Sequence, residues 1–571
     1  MPITPGKWIA DSSDYRPDRY YRYADLTALL HQWAADYPDL VSIESIGKTY
    51  QQRDIWALTI TDRASGKPEE KPAYFVDANI HASEVTGVAT TLWLINHLLT
   101  NRGDEKITWL LKHTAVYLIP AINVDAMDAM LDGSIPPVRS SMRPYPFDEP
   151  QDGIAQEDVD EDGTILTMRL KDSSGPWKVS PHDSRLMVKR GPDEIAGDFY
   201  YLLPEGTIRN WNGGAITFAH DPLGLDENRN FPAAWGPEWE QYGAGPYPLS
   251  EPETRALAEF FIAHPNIHGS QHFHTFSGAI LRPPTSYPTA DMPELDRNIF
   301  TLIGKMGEEE TGYPCIGIYD DFAYDKKKAL KGGLIDYVYE QLGMIPYSTE
   351  LWSLPAHAGI EVKDFIGFFR ERPDEWDATM LKVLDNEVEG EGFRDWTPFE
   401  HPQLGPVEIG GWWETFTWAN PPGPLLEGVT SANAKFVLRA MYTAPILAIR
   451  EVEVESLGAD LYKIKALIQN EGFLPTYVTE QARKVGVTKP VKAEIEVGEA
   501  AEIISGKPET EVGHLTGRVN QYNTLAFGSG VFPLESRAIA EWIVRKPGGG
   551  TVTVTASAAK AGTVKREVKL G

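Results

Sequence analysis

The stretch Val76–Glu84 constrains the fold more than any other part of the chain, because a strand pattern ends there and a helix pattern begins. The apolar run Ala73–Val76 is typical of a buried strand, and Val85–Leu99 carries apolar residues at helical spacing. The same alternation continues along residues 40–351. It predicts an α/β fold, with a mixed, mostly parallel central sheet flanked by helices.

His81 and Glu84 lie where this strand pattern gives way to the helix, at the edge of the sheet where α/β proteins bind ligands. Of the thirteen histidines, only His81 has an acidic residue three positions later. Imidazole and carboxylate groups bind zinc, and a catalytic zinc takes three protein ligands. The alternative is a polar strand end that caps the following helix. His274 is the candidate third ligand, and His272 is its rival because residues two apart on a strand share a face.

The spacing of apolar residues changes after Pro445, where short alternating runs replace the α/β pattern. Such runs are typical of a β-sandwich. A chain of 571 residues is also too long for one ordinary domain. We therefore predict an α/β domain over residues 1–445 and an all-β sandwich over 446–571. Two segments rich in Pro and Gly, about 129–222 and 397–429, are predicted to be insertions in the first domain.

Composition excludes several kinds of partner. The net charge of −29 argues against nucleic acid and against an anionic membrane surface. The single cysteine, Cys315, excludes an internal disulfide and a cysteine-rich zinc site. The chain has no run of about 18 apolar residues, so we expect no transmembrane helix. Residues 2–7 lack the apolar core of a signal peptide, which predicts a cytoplasmic protein, or a secreted one whose signal was removed. The sequence leaves the oligomeric state open.

The first insertion contains a short acidic repeat. Asp158, Asp160 and Asp162 precede Gly163 with the spacing that begins a calcium-binding loop. Arg169 occupies the twelfth position, where an acid is expected, so we do not expect a complete EF-hand loop. We favour an acidic, solvated loop and keep calcium as the alternative. The whole insertion lies between metal-ligand candidates, and its expected role is a rim around their site.

Five separated motifs, in the order in which they occur, resemble those of the carboxypeptidase A/B family of zinc carboxypeptidases. In chain order they are His81–Glu84, Asp226–Asn230, His274–Ser277, the helix segment Gly332–Tyr337 and the strand segment Ser348–Leu351. The resemblance runs along most of residues 20–445. It implies the fold of that family and one catalytic Zn²⁺.

The resemblance also implies a role for each matching residue. His81, Glu84 and His274 would bind the zinc ion. Glu350 would be the general base that takes a proton from water. Asp226 would orient the imidazole of His81 without binding the metal itself.

Contacts to the substrate are implied in the same way. Asn228 and Arg229 would hold its terminal carboxylate, since a guanidinium matches a carboxylate with two parallel hydrogen bonds. Arg139 would stabilise the oxyanion, and Arg143 is a close rival for that role. Ile335 falls at the floor of the family's side-chain pocket, where an apolar residue disfavours basic C-terminal side chains.

Two positions depart from the family pattern. Ser83 replaces the arginine that digestive members carry between the first two ligands. Tyr324 is the nearest match to the family's mobile tyrosine, but its spacing differs. One substrate contact is therefore missing, and the role of Tyr324 is in doubt.

We therefore expect a zinc-dependent carboxypeptidase that acts on peptides with a free C-terminal carboxylate and favours neutral or apolar C-terminal residues. One alternative is a related zinc amidohydrolase that acts on a non-standard or isopeptide amide. The retained Asn228 and Arg229 favour a free α-carboxylate near the scissile bond. The other alternative is a non-catalytic binding protein on the same fold, against which the retained Glu350 argues.

Overall fold

The computed structural model describes residues 7–220, 222–323, 328–521 and 534–571. An eight-stranded sheet forms the centre of the first domain. In spatial order its strands are Val41–Lys48, Asp54–Ile60, Ala115–Ile119, Ala73–Ala78, Ile267–Thr275, Ile345–Leu351, Ala279–Arg282 and Cys315–Gly317. Four neighbouring pairs are parallel and three are antiparallel. This topology confirms the predicted mixed, mostly parallel sheet.

Helices cover both faces of the sheet, which is why its central strands are apolar on both sides. Successive residues of a strand face opposite layers. Phe75 packs in the cluster that contains helix Pro252–Ala263, whereas Val76 packs with helices Thr86–Thr100 and Gly423–Met441. Further helices of this domain are Tyr23–Asp36, Glu105–His113, Val124–Leu131, Glu294–Thr311, Leu334–Asp336, Leu354–His357, Phe365–Arg370, Asp374–Glu387 and the π-helical turns Ile318–Phe322 and Tyr337–Gln341.

The two segments that the sequence set apart as insertions contribute to one sheet. Its six strands are, in spatial order, Phe393–His401, Gly405–Trp412, Thr167–Lys171, Tyr200–Pro204, Trp177–Val179 and Met187–Lys189. Glu408 and Arg169 are register partners across the junction, and their side chains form an ion pair of 2.7 Å. Strands Gly153–Gln156 and Gly206–Arg209 form a separate ribbon.

The range expected for the second insertion, 397–429, differs from the observed elements at both ends. The sheet already begins at Phe393, and helix Gly423–Met441 starts inside the range. Pro422 is the N-cap residue of that helix, and a second proline lies in its first turn. Proline is tolerated there because the first helical N–H groups have no partner within the helix. The Pro-rich composition therefore marks a helix start.

The chain after residue 445 folds into two antiparallel sheets of four strands each. Their strands are Leu447–Gly458, Leu461–Asn470, Arg537–Arg545 and Glu502–Ser505 in one sheet, and Glu509–Gly513, Val491–Glu496, Gly550–Ala558 and Gly562–Leu570 in the other. Ile464, Trp542 and Val554 share one buried core. The expected β-rich C-terminal domain is thus confirmed, and it also carries a short helix, Glu480–Val485.

Across the described ranges, no helix combines the length and the apolar character needed to span a bilayer.

Candidate metal centre and active site

The first two ligand candidates lie in a tight turn that follows strand Ala73–Ala78. Asn79 begins the turn with a φ of 61°, a left-handed conformation that asparagine adopts more readily than most residues. Its Nδ2 donates hydrogen bonds to the carbonyl oxygens of His81 at 3.1 Å and Ala82 at 2.9 Å. These bonds fix the backbone that presents His81 and Glu84 at the carboxyl edge of the sheet.

The helix that follows the turn packs unusually close to the sheet. A Cβ at Gly87 would lie 2.9 Å from the Cβ atoms of both Ala78 and Phe273, which is too close for any larger residue. Phe273 precedes His274 on the neighbouring strand. The glycine therefore lets the start of the helix, and Glu84 with it, approach the strand that carries the third ligand candidate.

The side chains of His81, Glu84 and His274 converge, and all three are buried. The two Nδ1 atoms of the histidines are 3.0 Å apart. One carboxylate oxygen of Glu84 lies 2.9 Å from Nδ1 of His81, and the other lies 3.0 Å from Nδ1 of His274. Two atoms that are each about 2 Å from a common zinc ion lie about 3 Å apart, so the spacing fits zinc.

Asp226 decides which nitrogen of His81 can bind a metal. Its Oδ1 lies 3.2 Å from Nε2 of His81 and accepts the proton carried there. Nδ1 of His81 then presents a lone pair toward Nδ1 of His274 and toward Glu84. Lone pairs that face one another in a buried site need a cation or a proton between them. Two imidazole nitrogens and a carboxylate in this arrangement form a donor set that fits zinc.

His272, the rival third ligand, lies outside this group. Its Nδ1 is 2.8 Å from Oδ2 of Asp77, and its Nε2 is 2.9 Å from Oγ of Ser270. Both ring nitrogens are therefore engaged elsewhere. The structure brings His274, and not His272, to His81 and Glu84.

Electrostatics favour charged carboxylates at Glu84 and Asp226 and the neutral form of the His274 imidazole. Burial disfavours the charged form of Glu84, but the neighbouring His81 and His274 outweigh burial and hold the pKa of Glu84 below its usual range. Burial lowers the pKa of His274. Burial likewise opposes the charge on Asp226, yet Arg139, Arg229 and His81 hold the pKa of Asp226 well below its usual range. These are the protonation states that metal binding requires.

Glu350 lies directly beside the third ligand. It is the register partner of His274 on the adjacent parallel strand, Ile345–Leu351, so both side chains project from the same face. Desolvation raises the pKa of Glu350 well above its ordinary value, and the charge of Glu84 acts in the same direction. Arg139 and Arg229 oppose the shift. A carboxylate with a raised pKa is suited to take up a proton.

The two candidate arginines for the oxyanion role have different positions. Arg139 lines the cavity, where its Nε donates to Asp226 at 2.9 Å and its Nη1 to Glu84 at 3.1 Å. Arg143 donates to the buried carboxylate of Glu251 at 2.5 Å and does not line the cavity. Only Arg139 therefore reaches the metal group.

Asn228 and Arg229 lie on the short turn Glu227–Arg229, which Asp226 caps by accepting the N–H of Asn228 at 2.9 Å. The Oδ1 of Asn228 accepts the N–H of Leu334 at 2.8 Å, which ties the turn to the pocket helix. Among the residues that the structure describes, Arg229 has no acidic ion-pair partner, although its side chain lines the cavity. A guanidinium in that position is available to a carboxylate ligand.

A cavity of about 390 Å³ joins these groups. Next to the polar residues its wall is apolar and consists of Phe276, Leu281, Ile318, Phe322, Leu330, Leu334 and Ile335. Ile335 is thus in the cavity, as predicted, whereas Tyr324 lies outside the described residues. Of the apolar wall, only Ile335 was predicted from the sequence. Leu281, for example, is on the four-residue strand Ala279–Arg282, which is too short to show a clear strand pattern.

A second group with metal-ligand chemistry lies in the first insertion. Carboxylate oxygens of Asp158, Asp160 and Glu205 come together, with Glu205 in place of the predicted Asp162. These carboxylates accept hydrogen bonds from the surrounding backbone: Asp158 from Gly163 at 2.9 Å, and Glu205 from Val159 at 2.8 Å and Leu166 at 2.7 Å. Calcium is not supported here, because carboxylates of the loop already accept backbone N–H groups.

Sequence comparison identifies the first domain. Residues 26–134 and 197–365 match the zinc carboxypeptidase family, and residues 446–569 match a domain of unknown function. Carboxypeptidase A4 of Mus musculus is 25% identical over 370 residues, which cover 60% of this chain and 70% of that protein. Carboxypeptidase D of Homo sapiens is 28% identical over 128 residues, which cover 21% of this chain but only 9% of that protein.

Among solved structures, thrombin-activatable fibrinolysis inhibitor matches with a TM-score of 0.43 and 17% identity, over 74% of each chain. The gap in the family match, residues 135–196, falls within the first insertion. The matched segments contain all three converging ligand candidates together with Asp226, Arg229 and Glu350. The first domain therefore belongs to the zinc carboxypeptidase family.

Proposed function

We propose that this protein is a zinc-dependent carboxypeptidase that removes neutral or apolar residues from the C-terminus of peptides. One observation carries the proposal. A single cavity is lined by His81 and His274 of the ligand group, by the carboxylate of Glu350, by the guanidinium of Arg229 and by an apolar wall. Each of these parts faces a different portion of a peptide end.

Zinc held by His81, Glu84 and His274 would polarise the scissile carbonyl and lower the pKa of a water molecule. Glu350 is placed to accept the proton of that water, because it is beside His274 and recessed in the cavity. Its raised pKa makes the protonated form stable enough to pass the proton on to the leaving amine.

Arg139 supports the developing negative charge. Its guanidinium is anchored by Asp226 and Glu84, so it is positioned before substrate arrives. A donor that needs no rearrangement stabilises an oxyanion at little cost in reorganisation. The same anchoring explains why Asp226, although it contacts no substrate, orients both His81 and Arg139.

Arg229 and Asn228 account for the requirement for a free C-terminus. A guanidinium forms two parallel hydrogen bonds with a carboxylate, and Arg229 lacks an acidic partner among the described residues. The neighbouring apolar wall, which includes Leu281, Ile318 and Ile335, then receives the side chain of the C-terminal residue. The cavity of about 390 Å³ is large enough for an aromatic side chain, and among the described residues that line it the only carboxylate is that of Glu350.

The test is a panel of N-blocked dipeptides that end in Phe, Leu, Ala, Lys or Glu, each with a free or an amidated C-terminus, measured alongside zinc content. We expect hydrolysis of the free peptides with Phe or Leu preferred and Lys and Glu poor. Equal rates on free and amidated peptides would favour the alternative amidohydrolase. Zinc and peptide binding without turnover would favour a non-catalytic binding protein.

A further inference from the structure

We propose that the C-terminal β domain positions the wall of the substrate pocket through its short helix, Glu480–Val485. This inference rests on the proposed function, since it concerns the pocket that receives the C-terminal side chain. It assigns a role to a domain whose family match carries none. The connection is built from hydrogen bonds between named residues of the two domains.

Asp296, in helix Glu294–Thr311 of the catalytic domain, is fully buried. Its carboxylate accepts hydrogen bonds both from its own domain and from the C-terminal domain. Its Oδ1 accepts the N–H of Glu480 at 2.7 Å, and its Oδ2 accepts the N–H of Gln481 at 3.0 Å. The first N–H groups of a helix have no partner within it, so this carboxylate caps the helix from another domain. Oδ2 also accepts the hydroxyl of Tyr339 at 2.9 Å.

Two side chains of the helix start continue the contact. Thr479, the N-cap residue, donates its hydroxyl to the carbonyl of Gly343 at 2.8 Å. Gln481 donates Nε2 to the carbonyl of Glu340 at 2.9 Å. A Cβ at Gly343 would lie 2.3 Å from the Cβ of Ala482, so the backbones are in direct contact. Tyr339, Glu340 and Gly343 are thus bound to the C-terminal domain.

The bound segment lies between two residues of the active site. Ile335, in the apolar wall, is four residues before Tyr339, and Glu350 is seven residues after Gly343. The segment contains the π-helical turn Tyr337–Gln341, a conformation that is rare and usually sustained by its surroundings. A contact that holds this turn therefore sets where Ile335 lies in the wall.

A second hydrogen bond joins the C-terminal domain to the catalytic domain. Lys560, in the turn between strands Gly550–Ala558 and Gly562–Leu570, is buried and donates to the carbonyl of Ile267 at 2.8 Å. Ile267 begins the strand that carries His274. The C-terminal domain thus contacts the starts of both elements that lead to the catalytic edge, and the helix contact is the one that reaches the pocket.

The experiment compares full-length variants on N-blocked dipeptides ending in Phe and in Ala. Gln481→Glu keeps the shape of the side chain but cannot donate to the carbonyl of Glu340. Thr479→Val removes the hydroxyl that binds Gly343, and Thr479→Ser restores it. We expect the ratio of kcat/KM for Phe over Ala to fall about 3- to 30-fold in Gln481→Glu and Thr479→Val, chiefly through KM. Thr479→Ser should return the ratio toward that of the parent.

Asn470→Ala is the matched control. Asn470 is buried and bonds to the carbonyls of Leu474 and Thr516, all within the C-terminal domain. This variant should lower the Tm and leave the Phe-to-Ala ratio unchanged. An equal change in the ratio for Asn470→Ala and Gln481→Glu would overturn the proposal, because general destabilisation would then explain both. An unchanged ratio in both Gln481→Glu and Thr479→Val would also overturn it.

Hydrogen exchange of the intact protein separates this inference from the proposed function. We expect the amides of residues 337–344 to exchange faster in Gln481→Glu than in the parent, and to be unaffected in Asn470→Ala. If the parent hydrolyses no peptide, the proposed function fails, and exchange alone decides whether the domain holds the pocket segment. Unchanged exchange in Gln481→Glu would refute that coupling.

Discussion

Among the described residues, two groups of side chains have the chemistry of a metal site, and they differ in what surrounds them. His81, Glu84 and His274 meet at the edge of the central sheet. Asp158 and Glu205, with Asp160, meet in the first insertion. In the first group the Nδ1 atoms of two imidazoles lie 3.0 Å apart, with both oxygens of Glu84 beside them. In the second, backbone N–H groups already bind the carboxylates.

The spacing of acidic residues alone therefore does not identify a metal site. The carboxylates of the second group already accept N–H groups, although burial and the neighbouring Asp160 and Asp158 still raise the pKa of Glu205 to about 7. The first group differs because two imidazole nitrogens and a carboxylate, the donor types that zinc takes, converge in a buried site.

Replacement of a ligand at the sheet edge should have the largest effect. In His274→Ala, one of three converging donors is lost, so we expect zinc content to fall from one ion to near zero and activity to background. His272→Ala should retain zinc, since His272 is bound to Asp77 and Ser270. Asp158→Asn should also retain it. The measurement is metal analysis of the purified variants, and zinc loss in His272→Ala alone would reverse the ligand assignment.

Glu350 and Glu205 both have raised pKa values, but only Glu350 is expected to take part in catalysis. Glu350→Gln removes the proton acceptor beside His274, and we expect kcat to fall by about 10²–10⁴. Zinc content, Tm and KM should change little. Glu205→Gln, in the acidic loop, should leave kcat within a few-fold of the parent. Parallel kinetics on one dipeptide measure both, and a near-normal kcat in Glu350→Gln would mean that another residue activates the water.

Replacement of Arg229 should lower kcat/KM by an intermediate amount, and only for substrates with a free C-terminal carboxylate. Arg229→Ala removes a charge-assisted bond worth about 1.5–3 kcal/mol, which is about a 10- to 150-fold loss in kcat/KM for a free peptide. The corresponding amidated peptide should lose almost nothing, because it lacks the charge that Arg229 recognises. Steady-state kinetics on the matched pair give the result. An equal loss on both peptides would place the role of Arg229 in folding.

The acidic loop should show the smallest effect, and only in stability. Burial raises the pKa of Glu205 to about 7, so the folded state favours its protonated form. The stabilisation from this group is complete at acid pH and is lost as the pH rises toward 7. Glu205→Gln cannot ionise, so its Tm relative to the parent should increase by roughly 1–3 °C between pH 5 and pH 8.

Millimolar calcium provides the control for the acidic loop. It should leave the Tm of the parent unchanged at pH 8, because backbone N–H groups already satisfy the carboxylates. A calcium-dependent rise in Tm that disappears in Glu205→Gln would show that the loop binds the ion after all.

Sequence reasoning found those features that a short stretch of chain encodes. The strand Ala73–Ala78 and helix Thr86–Thr100 were predicted within two residues, since apolar spacing reports local structure directly. The pair His81 and Glu84 followed from its place between them. Glu350 and Arg229 followed from the order of motifs that the family shares.

What the sequence left open needed distances between remote residues. His272 and His274 share one strand face, and only the neighbouring Asp77 and Glu84 decide which imidazole meets the metal group. Arg143 was separated from Arg139 in the same way, by the buried carboxylate of Glu251.

The largest gaps concern partners far apart along the chain. The two insertions share a sheet in which Arg169 pairs with Glu408, 239 positions later. Helix Glu480–Val485 is capped by Asp296, which lies in the first turn of a helix of the other domain. Local propensity is set by a few neighbouring residues and can be read from sequence. The choice among equivalent polar groups is set by which buried charge lies opposite, and only the folded chain brings that charge into place.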